Sequence, residues 1–160
     1  MTVQIVNADI LTYTVDDDFV PVWKCLPTNY TVDSRGLAIM GAGLAKQFAC
    51  AYPTAWYELG TLTQCNPTTP RVLPLGLKAG CFWWALPTKY RPQDEESSLK
   101  LIKDSLWELA LYHQRQVVKP IVVMPKLGCG CGKLKWSQVL PIIDMNTRNI
   151  DVVVCTRGGE

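Results

Sequence analysis

Histidine is nearly absent from this chain. His113 is the only one in 160 residues. A zinc site of the common kinds needs paired cysteines and histidines, so it has little to draw on here. The seven cysteines are scattered and odd in number: Cys25, Cys50, Cys65, Cys81, Cys129, Cys131 and Cys155. Cys129 and Cys131 form a C-x-C pair with no second pair to complete it. The thiols are therefore expected to be reduced, mostly buried and apolar in behaviour. No metal and no cofactor is expected.

Charge is also sparse. Charged residues make up 19%, and the net charge of +2 is too small to argue for a nucleic-acid groove. No apolar run reaches the roughly 18 residues of a membrane span. The first residues lack the basic segment and apolar stretch of a secretory leader. These absences lead to the expectation of a cytoplasmic protein with no membrane partner. Three familiar motifs are missing too: the G-x-G-x-x-G dinucleotide fingerprint, the Gly-Lys-Ser/Thr of a P-loop and the G-x-S-x-G elbow. There is no internal repeat.

What the chain does have is two glycine-rich turns, each ahead of a helix-like stretch. One is Met40, Gly41, Ala42, Gly43, running into 44–48. The other is Gly128, Cys129, Gly130, Cys131, Gly132, which follows the apolar run 121–124 and precedes 136–139. A glycine turn opening a helix leaves N–H groups unpaired at the positive end of the helix dipole. That is a cradle for an anion, most often phosphate. Two such cradles on one domain could grip a diphosphate from both sides.

Strands are expected at 3–6, 20–26, 71–75, 81–86, 121–124 and 152–155. Pro21 suggests a strand start or an edge position for the second of these. Helices are expected at 44–52, 54–59 and about 137–146. The clearest helix follows Asp94, Glu95 and Glu96, an acidic first turn. Its apolar face is Leu99, Ile102, Leu106 and Leu109, at spacings of 3, 4 and 3. Ser97 and Ser98 read as helix-start residues. Alternating strands and helices imply an α/β layered domain with a mostly parallel sheet, and ligands in such sheets sit beyond the strands' carboxyl ends. Most of the six tryptophans are core candidates, and His113 is expected to be exposed.

Several residues carry both a chemical and a bland reading. Asp9 could accept from an adenine amino group or cap a turn. Asn29 could hold a ribose hydroxyl. Lys89, just past an aromatic strand, could be a solvated cation or pair with a phosphate as a point charge. It could also attack as an amine, if burial or a second cation such as Arg91 helped it lose its proton.

In order along the chain, four segments resemble the macrodomain, an ADP-ribose-binding fold. They are N-A-D-I-L at 7–11, M-G-A-G-L-A-K-Q-F at 40–48, L-P-T-K at 86–89 and P-K-L-G-C-G at 125–130; L-K-W at 134–136 continues the last. The resemblance implies a three-layer α/β/α domain over 1–156, with a mixed, mostly parallel sheet of about six strands and a short tail at 157–160. Within the fold the chain is most similar to the branch holding terminal ADP-ribose protein glycohydrolase. That branch also holds the antitoxin that removes ADP-ribose from thymidine in DNA. The implied ligand is ADP-ribose, free or carried on DNA or protein, bound by a monomer.

By the same resemblance, Asp9 and the backbone of Ile10 contact the adenine. Met40, Gly41, Ala42, Gly43 and Leu44, with Leu127, Gly128, Cys129, Gly130, Cys131 and Gly132, wrap the diphosphate and distal ribose. Thr88 and Asn29 join them, and Lys89 falls on the catalytic lysine. The glycohydrolase carries an aspartate where this chain has Gly132, whereas the antitoxin has glycine there. Hydrolysis of an ADP-ribosyl linkage, dephosphorylation of ADP-ribose 1''-phosphate and binding without turnover all remain open.

Overall fold

The computed structural model describes residues 2–157. The elements are β1 (Val3–Asp9), β2 (Val22–Thr28), α1 (Gly43–Ala51), α2 (Ala55–Cys65), β3 (Leu73–Lys78), β4 (Cys81–Pro87), α3 (Leu99–Gln114), β5 (Ile121–Pro125), α4 (Trp136–Asn146) and β6 (Val152–Arg157). The strands form one six-stranded sheet in the order β1-β6-β5-β2-β4-β3. Every neighbouring pair is parallel except β3–β4, a hairpin at the edge. Its two turn residues, Ala79 and Gly80, both have positive φ (51° and 82°), the twist a two-residue hairpin favours.

Period-2 alternation divides the sheet between two cores. On one face Leu26, Trp83, Val123 and Cys155 meet Leu44, Phe48 and Leu59 of α1 and α2. On the other, Cys25, Leu86, Met124 and Val154 meet Ile102, Leu106, Leu109, Val139 and Ile143 of α3 and α4. This is the three-layer α/β/α arrangement that the resemblance implies. No helix among the described residues is long and apolar enough to cross a membrane.

Of the two readings of Pro21 the strand start holds: β2 is central, begins at Val22 directly after it, and Pro21 O accepts from Ile121 N at 2.9 Å. Several boundaries differ from expectation. α2 runs six residues past Leu59, to Cys65. α3 starts at Leu99, where Ser98 Oγ caps Leu101 N at 3.1 Å. The three carboxylates therefore precede the helix and do not feed its first turn, and Asp94 instead pairs with Arg91. Arg157, expected in the tail, ends β6; the rest of that tail, 158–160, lies outside the described residues. Of the thiols only Cys25 and Cys155 are buried, while Cys50, Cys65 and Cys131 are exposed. Trp23 and Trp83 are core residues, but Trp107 is largely exposed.

Candidate functional site

The sheet comes apart at its carboxyl edge. β2 pairs with β4 through Thr28, but its pairing with β5 ends at Lys24. Beyond that point Pro27 and Pro125 face the gap from the two strands, and neither has an N–H to bridge it. The gap is also where the chain order reverses, the usual ligand crevice of open α/β sheets. A cavity of about 290 Å³ opens there, lined by Pro27 and Thr28 at the end of β2, Thr88 and Lys89 after β4, and Pro125 and Lys126 at the end of β5 and just past it.

Both glycine turns close over this one cavity. Met40, Gly41, Ala42, Gly43 and Leu44 line it from one side; Gly128, Gly130, Cys131 and Gly132 line it from the other. In the first turn Gly41 and Gly43 have φ of 61° and 67°, a region that disfavours side chains. Gly43 opens α1 behind Ala42, whose methyl cannot cap. The leading amides of Gly43, Leu44 and Ala45 are therefore left for something else to bond.

The second turn works differently from expectation. Three residues, Lys133, Leu134 and Lys135, separate Gly132 from α4. Gln138 Oε1 already accepts from Lys135 N at the start of that helix, at 3.1 Å. Any anion cradle here belongs to the loop, not to the helix terminus. The loop is tied by Cys129 N to Lys126 O (3.2 Å), Lys133 N to Gly130 O (3.0 Å) and Leu134 N to Gly128 O (2.8 Å). Among the described residues, the amides of Gly130, Cys131 and Gly132 have no acceptor within the chain.

Lys89 reaches from the end of β4 to the second turn. It is half-buried, and its Nζ donates to Cys131 O at 3.4 Å. Arg91 does not line the cavity; its guanidinium binds Asp94 at 3.2 Å, so it is not placed as a helper for Lys89. Among the described residues the lining contains no Asp, Glu or His, and its ionisable side chains are Lys89, Lys126 and Cys131. The cavity is thus fitted for an anion, with backbone donors and two cations.

Asn29 and Asp9 are bonded within the chain. Asn29 lines the cavity, but its amide is engaged: Nδ2 donates to Ile39 O at 2.7 Å and Oδ1 accepts from Thr31 N at 3.3 Å. It fixes the approach to the first glycine turn. Asp9 sits outside the lining, at the carboxyl end of β1, with β6 between it and β5. That separation is about 10 Å at ordinary strand spacing. Its carboxylate accepts from Leu11 N at 2.9 Å, the turn-capping role.

Ile10 and Leu127 are fully buried core residues, and Cys129 packs against the α3/α4 core. Ile10 O accepts from the buried Lys24 Nζ at 2.7 Å. Burial pulls the Lys24 pKa below the usual lysine value, opposed by the electrostatics of Cys81, Cys155 and Asp9. His113, expected to be exposed, is buried and bonded through Nε2 to Pro120 O at 2.8 Å. Its apolar body is covered by Trp23, at 5.8 Å between ring centroids, and it takes no part in the cavity.

Sequence reasoning missed Pro27, Thr28, Ala45, Pro92, Ser97, Pro125 and Lys126 in the lining. A signal existed for four of them. Thr28 and Lys126, with their neighbouring prolines, stand at the ends of central strands, where any parallel sheet receives its ligand. Gly132 also has a local reason to be glycine. A Cβ there would overlap Ser97 Oγ and lie 2.5 Å from Gly128 O.

No family model matches the chain. It is 25% identical, over 124 residues, to an uncharacterized 17.5 kDa protein of the tk–vs intergenic region of Enterobacteria phage T4; the match covers 72% of this chain and 77% of that protein. Solved structures are more informative about shape. The macrodomain of Thermus aquaticus DarG superposes with a TM-score of 0.76 at 21% identity, over 98% of this chain and 99% of that one. The macrodomain of Mycobacterium tuberculosis DarG gives 0.77 at 21%, over 98% of each chain. Thermosipho africanus DarTG, solved in complex with ADP-ribose, gives 0.69 at 19%, over 84% of this chain and 38% of that one.

Proposed function

We propose, from a macrodomain fold and this cavity, that the protein binds ADP-ribose and hydrolyses an ADP-ribosyl linkage on a macromolecule, DNA or protein. The observation that carries the reading is the pair of glycine turns lining one cavity, with unpaired amides on both and Lys89 in the same lining, bonded to the second turn. A pyrophosphate between the turns would accept from the amides of 43–45 and 130–132. The terminal ribose would then lie toward Lys89. Held in that way, the anomeric carbon gains the orientation that turns a bimolecular encounter into a positioned one.

Lys89 would act as a neutral amine on that carbon after the ring opens and its ring oxygen takes a proton from solvent. A C–N bond forms as the carbon–carrier bond breaks, and the carrier leaves with the proton that the amine gives up. Water then adds to the carbon and breaks the C–N bond, freeing the sugar and returning the amine. Protonated, it would instead assist departure as a nearby positive charge. The resemblance favours DNA-linked over protein-linked ADP-ribose, because the antitoxin has glycine where the glycohydrolase has aspartate and this chain has Gly132, a position where a side chain would overlap Ser97.

A second reading, binding without turnover, is supported by the lining itself, which offers no carboxylate or imidazole to move a proton. One set of experiments separates the two. Calorimetry with ADP-ribose is paired with turnover assays on ADP-ribosylated DNA, ADP-ribosylated protein and ADP-ribose 1''-phosphate. Lys89→Ala is expected to lower glycosidic turnover at least a hundredfold while changing ADP-ribose affinity by a few-fold at most. Equal turnover in that variant removes the lysine from the mechanism. Tight binding with no turnover of any substrate establishes the second reading, and absence of binding ends both.

A further inference from the structure

Ser97 stands in the cavity wall without an assigned task. Of the two serines ahead of α3, Ser98 spends its hydroxyl on the helix cap. Ser97 is only 6% exposed, lines the cavity, and among the described residues its hydroxyl has no hydrogen-bond partner. That hydroxyl is not a sealed, unsatisfied atom, the one such side-chain atom among the described residues being Trp84 Nε1; it opens to the cavity, where a ligand can bond it. Its backbone is held from two directions: Ser97 N donates to Gly132 O at 2.9 Å, and Ser98 N donates to Thr88 O at 2.8 Å. Those partners are the second glycine turn and the segment that carries Lys89. The side chain therefore has a fixed seat between the two, against the Cα of Gly132. Lys89 Nζ bonds the carbonyl of Cys131, the residue just before. An amine and a hydroxyl thus border successive residues of one loop.

We infer that Ser97 is a specificity-determining residue whose hydroxyl binds a hydroxyl of the terminal ribose. The inference rests on the reading of the cavity as an ADP-ribose site. The chemistry distinguishes ribose from phosphate. A phosphate only accepts, and the turn amides already supply donors for it. A sugar hydroxyl both donates and accepts, as a serine does. A site that bonds a substrate hydroxyl rejects the analogue lacking it.

The test is calorimetry with two probes, ADP-ribose and ADP, which share the diphosphate and differ by the terminal ribose. Ser97→Ala is expected to bind ADP-ribose roughly tenfold more weakly and ADP within about twofold of the wild-type protein. Ser97→Cys, which keeps the volume and loses most of the hydrogen bond, should fall in the same direction. Thermal melting of each variant within a few degrees of wild type shows that the fold is retained. Unchanged ADP-ribose affinity in both variants overturns the inference while the site stands. Equal losses for ADP and ADP-ribose overturn it too, because the hydroxyl then serves the diphosphate. Failure of the wild-type protein to bind ADP-ribose overturns the parent reading.

Discussion

Cys25 is the residue whose chemistry is most changed by its place in the fold. It stands on the α3/α4 face of β2 with no exposed surface, and burial pushes its thiol up from 9.0 to about 12. Between those values the unfolded chain has released a proton that the folded chain keeps. Stability from this group is complete below pH 9 and is lost as pH rises toward 12, by at most about 1.4 kcal/mol per pH unit. Cys155, pushed up to about 11, acts in the same direction. Lys24 acts oppositely, since between its lowered pKa and 10.5 the unfolded chain binds more protons than the folded one. Comparing Cys25→Ala with wild type isolates the thiol. The variant should be less stable by about 1 kcal/mol at pH 7. In urea titrations at pH 7, 9 and 10 that deficit should narrow above pH 9. A deficit that does not change with pH contradicts the account.

At the scale of elements, the length of α2 is set by packing that local propensity hides. Gly60, with Thr61 and Thr63 beside it, is poor helix material, so the sequence predicts an end at Leu59. The helix continues because it must lie against 36–38, the strand-like approach to the first glycine turn. A Cβ at 60 would overlap Gly36 O and come within 2.9 Å of Ala38 N, and Ala38 N itself bonds Trp56 O at 2.9 Å. Gly60→Ala gains about 1 kcal/mol of helix propensity but forces two backbones apart. It should therefore destabilise by about 1–3 kcal/mol and weaken ADP-ribose binding through the displaced turn. Denaturation and calorimetry on the same preparation check this; a variant more stable than wild type contradicts it.

The start of α3 teaches a related lesson. Three acidic residues look like a first turn, yet Ser98 caps and Asp94 is drawn to Arg91. By contrast β5, an uninterrupted apolar run, and the hairpin around Ala79 and Gly80 were plain in the sequence, because burial on both faces and turn chemistry are local signals.

Over the whole molecule, the layered fold was legible because alternating apolar patterns need only neighbours to be read. The cavity was legible in part. Its glycine turns announce themselves, and so does Lys89 past a strand end. Thr28 and Lys126 were signalled only as strand ends, and their sharing one cavity depends on where β2 and β5 part; Ser97 gave no signal, because its place depends on how α3 meets the second turn. Asp9 shows the reverse. It lies at the same edge of the sheet, but β6 separates its strand from the cavity, a fact of strand order that no local pattern carries.

The same strand order explains why a chain of net charge +2 could still hold a dianion. The parallel strands deliver two turns to one gap, and their unpaired amides supply directed donors that a small net charge would not.

A crystal structure of the protein with ADP-ribose measures this directly. The account predicts pyrophosphate oxygens about 3 Å from amide nitrogens of both turns, some among 43–45 and some among 130–132. A diphosphate held only by the ammonium groups of Lys89 and Lys126, with those amides facing solvent, contradicts it.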